Sequence, residues 1–89
     1  MLTREVVISN RLGLHARAAA KLVAVANRFP ATVLLEKEGQ RVNGKSIMGV
    51  MMLAASRGTM LRLSVDGEDE QTALDALVAL IDNRFGEAE

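Results

Sequence analysis

The chain has 89 residues, with eleven Lys and Arg balanced by eleven Asp and Glu, one His, no Cys, no Trp or Tyr, and two Phe. A formal charge of zero lacks the cationic footprint that draws nucleic acid or anionic membranes, and so few aromatics offer no stacking platform for single-stranded nucleic acid. Without cysteine, disulfides, thiolate chemistry and Cys-rich zinc sites are excluded, so one domain over residues 1–89 must be held by packing, with roughly two-thirds of its unfolded surface buried.

The opening MLTREVVISN is charged and lacks a signal-peptide apolar region, and no run approaches the ~20 apolar residues of a membrane span. A soluble, cytoplasmic protein without membrane insertion is expected. Residues 2–8, LTREVVI, set Leu2, Val6 and Ile8 on one side of a period-two pattern that Arg4 interrupts, and predict a strand. The following SNRLG is turn-rich. Ala19, Leu22, Val23 and Ala26 recur at helical spacing and predict a helix over 16–28, with Phe29 after it and Pro30 as its stop. ATVLLEK and QRVN flank Glu38-Gly39, the pattern of a β-hairpin.

Ser46 precedes IMGVMMLAAS, which reads as a short helix with a serine N-cap and Gly58 just past its end. TMLRLSVD alternates, with Leu61, Leu63 and Val65 on one face, and predicts another strand. After the turn DGED, the residues Leu74, Leu77, Val78 and Ile81 share the apolar face of a closing helix. The order is β-α-β-β-α-β-α. Half-apolar strands in that order predict an α+β fold, an open-faced two-layer β-sandwich with helices on one side of an antiparallel sheet.

His15 falls at or beside the N-cap of the first helix, where Ser, Thr, Asp or Asn caps better. The free amides of Ala16, Arg17 and Ala18 and the helix dipole make that end an anion site. The same positive end disfavours imidazolium, which leaves a neutral ring with a nucleophilic nitrogen. Arg17 adds a planar fork of donors suited to phosphate oxygens. Two readings stand at this point: a tolerated cap beside a solvated arginine, or a site for a transient phosphohistidine. No second His exists and no carboxylate lies close by in sequence, so no metal or cofactor is expected. Nothing identifies a nucleophile elbow or an orienting acid for a hydrolytic triad.

On the second helix, Ile47, Val50 and Ala54 are expected on one face, with Met48, Met51, Met52 and Ala55 on the other. Either the methionines face solvent as a soft contact for several partners, or the first helix packs over them. Ser46 reads in the first place as an ordinary N-cap; a phosphorylation site beside the methionines is the other reading, since a phosphate at a helix N-terminus need not melt the fold.

Together, GLHARAA, VNGKSIMGVMML and the late GEDEQ resemble the HPr-type phosphocarrier proteins of the bacterial phosphoenolpyruvate-dependent phosphotransferase system, over essentially the whole chain. The resemblance implies a four-stranded antiparallel sheet of order 1-4-2-3 under three helices, in a monomer. It implies that His15 is phosphorylated on Nδ1 by enzyme I and drained by EIIA-type proteins. Arg17 and the amides of Ala16 and Ala18 then face the phosphoryl group. It further implies that Ser46 is the target of HPr kinase/phosphorylase, and that Leu14, Ile47, Met48, Met51 and Met52 form the docking patch. The family usually carries proline after the His-Ala-Arg or His-Thr-Arg triplet. Ala18 stands there instead, giving up a preset φ and restoring an amide donor. A regulatory carrier of the nitrogen-related branch, or an interaction module controlled through Ser46, are the alternative functions; a hydrolase using His15 as base lacks a partner acid.

Overall fold

The computed structural model describes residues 1–89. Alternation gives each strand one apolar face, and the pairing brings those faces together. Strands β1 (Leu2–Val7), β2 (Thr32–Lys37), β3 (Gln40–Asn43) and β4 (Met60–Asp66) form one antiparallel sheet of order β1-β4-β2-β3. Val6 lies opposite Leu61, Leu63 opposite Leu35, and Val65 opposite Val33, so one sheet face is continuously apolar. Helices α1 (Ala16–Ala26), α2 (Ile47–Met52) and α3 (Glu70–Asp82) cover that face. Ala19, Leu22, Val23 and Ala26 of α1 and Leu74, Leu77, Val78 and Ile81 of α3 are all buried, as their periodicity requires. None of the helices is long and apolar enough to cross a membrane.

The uncovered face carries a row of alternating charge, Glu5, Arg62, Glu36 and Arg41, directly opposed across all four strands. Arg4 occupies an inward register opposite Leu63 yet stays exposed, because β1 is an edge strand and a long side chain there reaches water. In the hairpin, Glu38 and Gly39 both have positive φ, 50° and 83°, the backbone of a two-residue type I′ turn whose twist matches the strands.

Two helix ends differ from expectation. Helix α1 stops at Ala26 rather than Arg28, since the amides of Arg28 and Phe29 bond three residues back, to Val25 and Ala26, and tighten the last turn. Helix α2 stops at Met52 rather than Ser56: Leu53 and Ala54 bond back to Val50 and Met51, Ala54 turns left-handed at φ 50°, and the Lys37 ammonium reaches the Leu53 carbonyl at 2.9 Å. Gly58 therefore does not follow a helix end; it sits in the turn into β4, its amide on the Ile8 carbonyl at 2.7 Å. The early stop also rearranges the expected faces. Val50, Leu53 and Ala55 are buried, whereas Ile47 lies out with Met48, Met51 and Met52, and Ala54 is exposed beyond the helix.

Leu63 is fully buried at the centre of the sheet. Leu63→Ala is expected to lower unfolding free energy by about 2–5 kcal/mol in urea titration, through lost burial plus an unfilled cavity; a change below about 1 kcal/mol would contradict the packing described.

Candidate functional site

The loop between β1 and α1 is shaped by one close backbone approach. Gly13 has φ +66°, and a Cβ there would lie 2.4 Å from the Ala55 carbonyl oxygen, so only glycine fits. The next amide, of Leu14, donates to that same oxygen at 2.8 Å. This contact turns Leu14 inward, where it is buried in the core. Leu14 thus corrects the expected docking patch: a side chain held between sheet and helix presents almost nothing to a partner. Leu12, which the sequence did not single out, is 66% exposed on the rim instead.

His15 follows as the N-cap of α1, extended at φ −74° and ψ 176°, and its side chain does not cap the helix. Its carbonyl accepts from Ala19 at 2.8 Å, while the amides of Ala16, Arg17 and Ala18 have no acceptor within the chain. Those donors and the dipole give the helix start its positive potential. Ala18 itself is fully buried, its methyl part of the core.

The ring has a second neighbour that no local motif revealed. Glu87, 72 positions away, places one carboxylate oxygen on His15 Nε2, and its other oxygen accepts from the side-chain amide of Asn10 at 3.0 Å. A carboxylate only accepts, so the facing Nε2 carries a proton, and in the neutral ring the lone pair therefore lies on Nδ1. The sequence placed only the helix end beside the ring; folding adds an anion on its other side. Buried Phe85 and the Lys21 ammonium on the Phe85 carbonyl, at 2.6 Å, anchor the segment before Glu87. Arg11 anchors the segment after it, its amide on the Glu89 carbonyl and its guanidinium on the Glu89 carboxylate, both at 2.9 Å. Phe85 follows Ile81 by four residues, a continuation of the α3 apolar spacing that signals the return of this segment to the core.

Arg11, Leu12, His15, Arg17 and Glu87 line an open cleft of about 750 Å³. Arg17 is exposed and forms no ion pair, so its guanidinium is available to an incoming anion. Elsewhere, Ser46 is a true N-cap: its Oγ accepts from the Gly49 amide at 3.1 Å. Beside it, Ile47, Met48, Met51 and Met52 are 43%, 72%, 40% and 66% exposed. Packing of α1 against α2 leaves the methionines uncovered, which decides between the two readings of that stripe. Near the site no three metal-ligating side chains gather, nor anywhere else in the chain.

The Asn10 amide, and secondarily the His15 ring, hold the Glu87 carboxyl below its ordinary value of 4.5. With the folded value depressed, these contacts stabilise the fold above pH 4.5, and that contribution is lost as pH falls through the folded value. Glu87→Gln is therefore expected to flatten the acid-side loss of order in residues 85–89, followed by amide NMR; superimposable acid profiles for variant and wild type would contradict the contact.

A family model described as the PTS HPr component phosphorylation site matches residues 2–83. The chain is 57% identical over 89 residues to phosphocarrier protein HPr of Cupriavidus necator, with 100% of both chains covered. Among solved structures, HPr-C-His from Thermoanaerobacter tengcongensis gives a TM-score of 0.96 at 45% identity with 100% of both chains covered. An HPr dimer from the same organism gives 0.79 at 48% identity, covering 92% of this chain and 94% of that one. Likeness that runs the length of both chains, in sequence as well as in backbone, makes this chain a member of the HPr family, the phosphocarriers of the phosphotransferase system.

Proposed function

We propose that His15 accepts a phosphoryl group on Nδ1 from phosphorylated enzyme I and passes it to EIIA-type proteins, as a carrier rather than an enzyme. The observation that carries this reading is the occupancy of the ring: Glu87 engages Nε2, which leaves Nδ1 as the nitrogen with a free lone pair. In the forward step that pair attacks phosphorus, the N–P bond forms, and the bond from phosphorus to the donor's own atom breaks with its electrons returning to the donor. Transfer onward is the same step with His15 as the leaving group. The amides of Ala16, Arg17 and Ala18 and the Arg17 guanidinium supply donors to the phosphoryl oxygens. An open cleft suits relay, because donor and acceptor proteins must each bring their own groups to the same phosphorus, in turn. Every group named for transfer belongs to one chain, so the step needs no second copy, and a cytoplasmic monomer is the reading that goes with it.

Ser46 is the proposed regulatory site, modified by HPr kinase/phosphorylase. Its hydroxyl lies beside exposed Ile47 and Met48, so added phosphate places two charges at the edge of an apolar docking face formed by Ile47, Met48, Met51 and Met52. Docking would then require desolvating that charge against the partner.

Incubation with enzyme I and phosphoenolpyruvate is expected to give an acid-labile adduct that His15→Ala abolishes; equal labelling of the variant would overturn the assignment. Arg17→Ala should slow transfer by about tenfold, less than for a buried oxyanion donor because the site is open to water. Ser46→Asp should slow transfer from enzyme I by about tenfold with the fold intact. Unchanged transfer in that variant, alongside demonstrated kinase modification of wild type, would remove the inhibitory role.

A further inference from the structure

Asn10 is the one polar side chain among the fully buried residues, set in a core of 23 apolar ones. Its amide nitrogen donates twice, to the Gly13 carbonyl at 2.8 Å and to Glu87 Oε1 at 3.0 Å, while its Oδ1 is buried with no partner. A buried amide with an unpaired oxygen is a costly choice where an apolar residue would pack, unless its donors are needed. One donor closes the loop ahead of His15. The other fixes the carboxylate that meets the ring.

We propose that Asn10 is a positioning residue for phosphoryl transfer: it holds Glu87 so that Nε2 of His15 keeps its proton while Nδ1 carries the phosphoryl group. This rests on the carrier reading above and adds to it the control of the leaving group. When the N–P bond breaks, its electron pair goes to Nδ1. With Nε2 protonated the ring leaves as neutral imidazole, whereas an unprotonated ring would have to leave as imidazolate, a far more basic and poorer leaving group. A carboxylate hydrogen-bonded to Nε2–H stabilises the protonated phosphoimidazole, and it does so only while it is held in place and ionised. Asn10 serves both needs by donating to its second oxygen.

Other charges around this chain of contacts are accounted for. Arg11 is engaged by Glu89, Lys21 by the Phe85 carbonyl, and Arg17 lies at the cleft on the helix side of the ring. Lys21 also acts on Glu87 through space, as a weaker influence than the two hydrogen bonds. The anchors at Phe85 and Glu89 keep Glu87 from swinging away, so the Asn10 contact sets its orientation rather than merely its presence.

The test uses ring-nitrogen NMR on the full chain as wild type, Asn10→Ala and Glu87→Gln. In the unphosphorylated protein, the Nε2–H tautomer should dominate in wild type and lose ground in both variants. This readout needs no phosphoryl donor, so its failure counts against the relay of contacts, while failure to label His15 counts against the carrier reading. In the phosphorylated protein, Nε2 should titrate about one pH unit lower in each variant than in wild type. The fast limb of dephosphorylation should end correspondingly earlier on the alkaline side. Equal titration and an unchanged tautomer balance in the variants would overturn the proposal. Should Asn10→Ala not fold, the Asn10 side-chain amide of wild type supplies the answer: its resonances should move with the Nε2 midpoint, and should cease to do so in Glu87→Gln. Amide resonances indifferent to that titration in wild type would overturn the role of Asn10.

Discussion

The packing of Gly13 against the Ala55 carbonyl joins the two halves of the molecule that matter for function. Because no side chain intervenes, the loop from β1 closes onto the chain leaving α2, and the Leu14 amide bonds across the same junction. That register drives Leu14 into the core and turns Leu12 and His15 outward. It also decides where α1 begins. A side chain at position 13 would push the loop off α2 and displace the imidazole from the helix start and from the returning C-terminal segment together.

The helix start is weak by design of its residues. Histidine in place of a capping serine or aspartate forgoes about 1 kcal/mol. Burial of Leu22 alone contributes about 1.5–3 kcal/mol, and Val23 with the α1 alanines adds to it. Tertiary packing therefore holds α1 without help from its cap, and the first-turn amides remain unpaired. At α2 the balance is reversed. A helix of six residues has little face to bury, so Ser46 caps one end and Lys37 the other. A phosphate placed on Ser46 would act on a cap the short helix uses, whereas one placed on His15 would act at a helix end left free.

Much of this was legible in the residues. Period-two and helical spacing located β1, β4, α1 and α3, because each buries one regular face, while the Glu38-Gly39 turn signal located β2 and β3 and the Ser46 cap located α2; the 3-10 turn Arg84–Gly86 was not legible. What failed to show was non-local. Helix α2 ends early because Leu53 and Ala55 both turn inward after it, and pattern alone extended the helix through them. Leu14 was assigned to a docking face by resemblance, yet the Ala55 contact buries it. Glu87 and Asn10 lay outside any motif: a charged residue near residue 89 and a polar one in a turn-rich stretch look ordinary until Phe85 docks and brings Glu87 to the ring and to the Asn10 amide.

The imidazole thus has two distinct nitrogens: Nε2 is tied to a carboxylate, and Nδ1 has no partner within the chain. Which nitrogen bonds to phosphorus is the most direct test of that division. Long-range proton–nitrogen and nitrogen–phosphorus couplings in the phosphorylated, nitrogen-15-labelled protein identify the atom. A phosphorus coupling to Nδ1, with Nε2 bearing hydrogen, is the expected result; phosphorus on Nε2 would contradict the account.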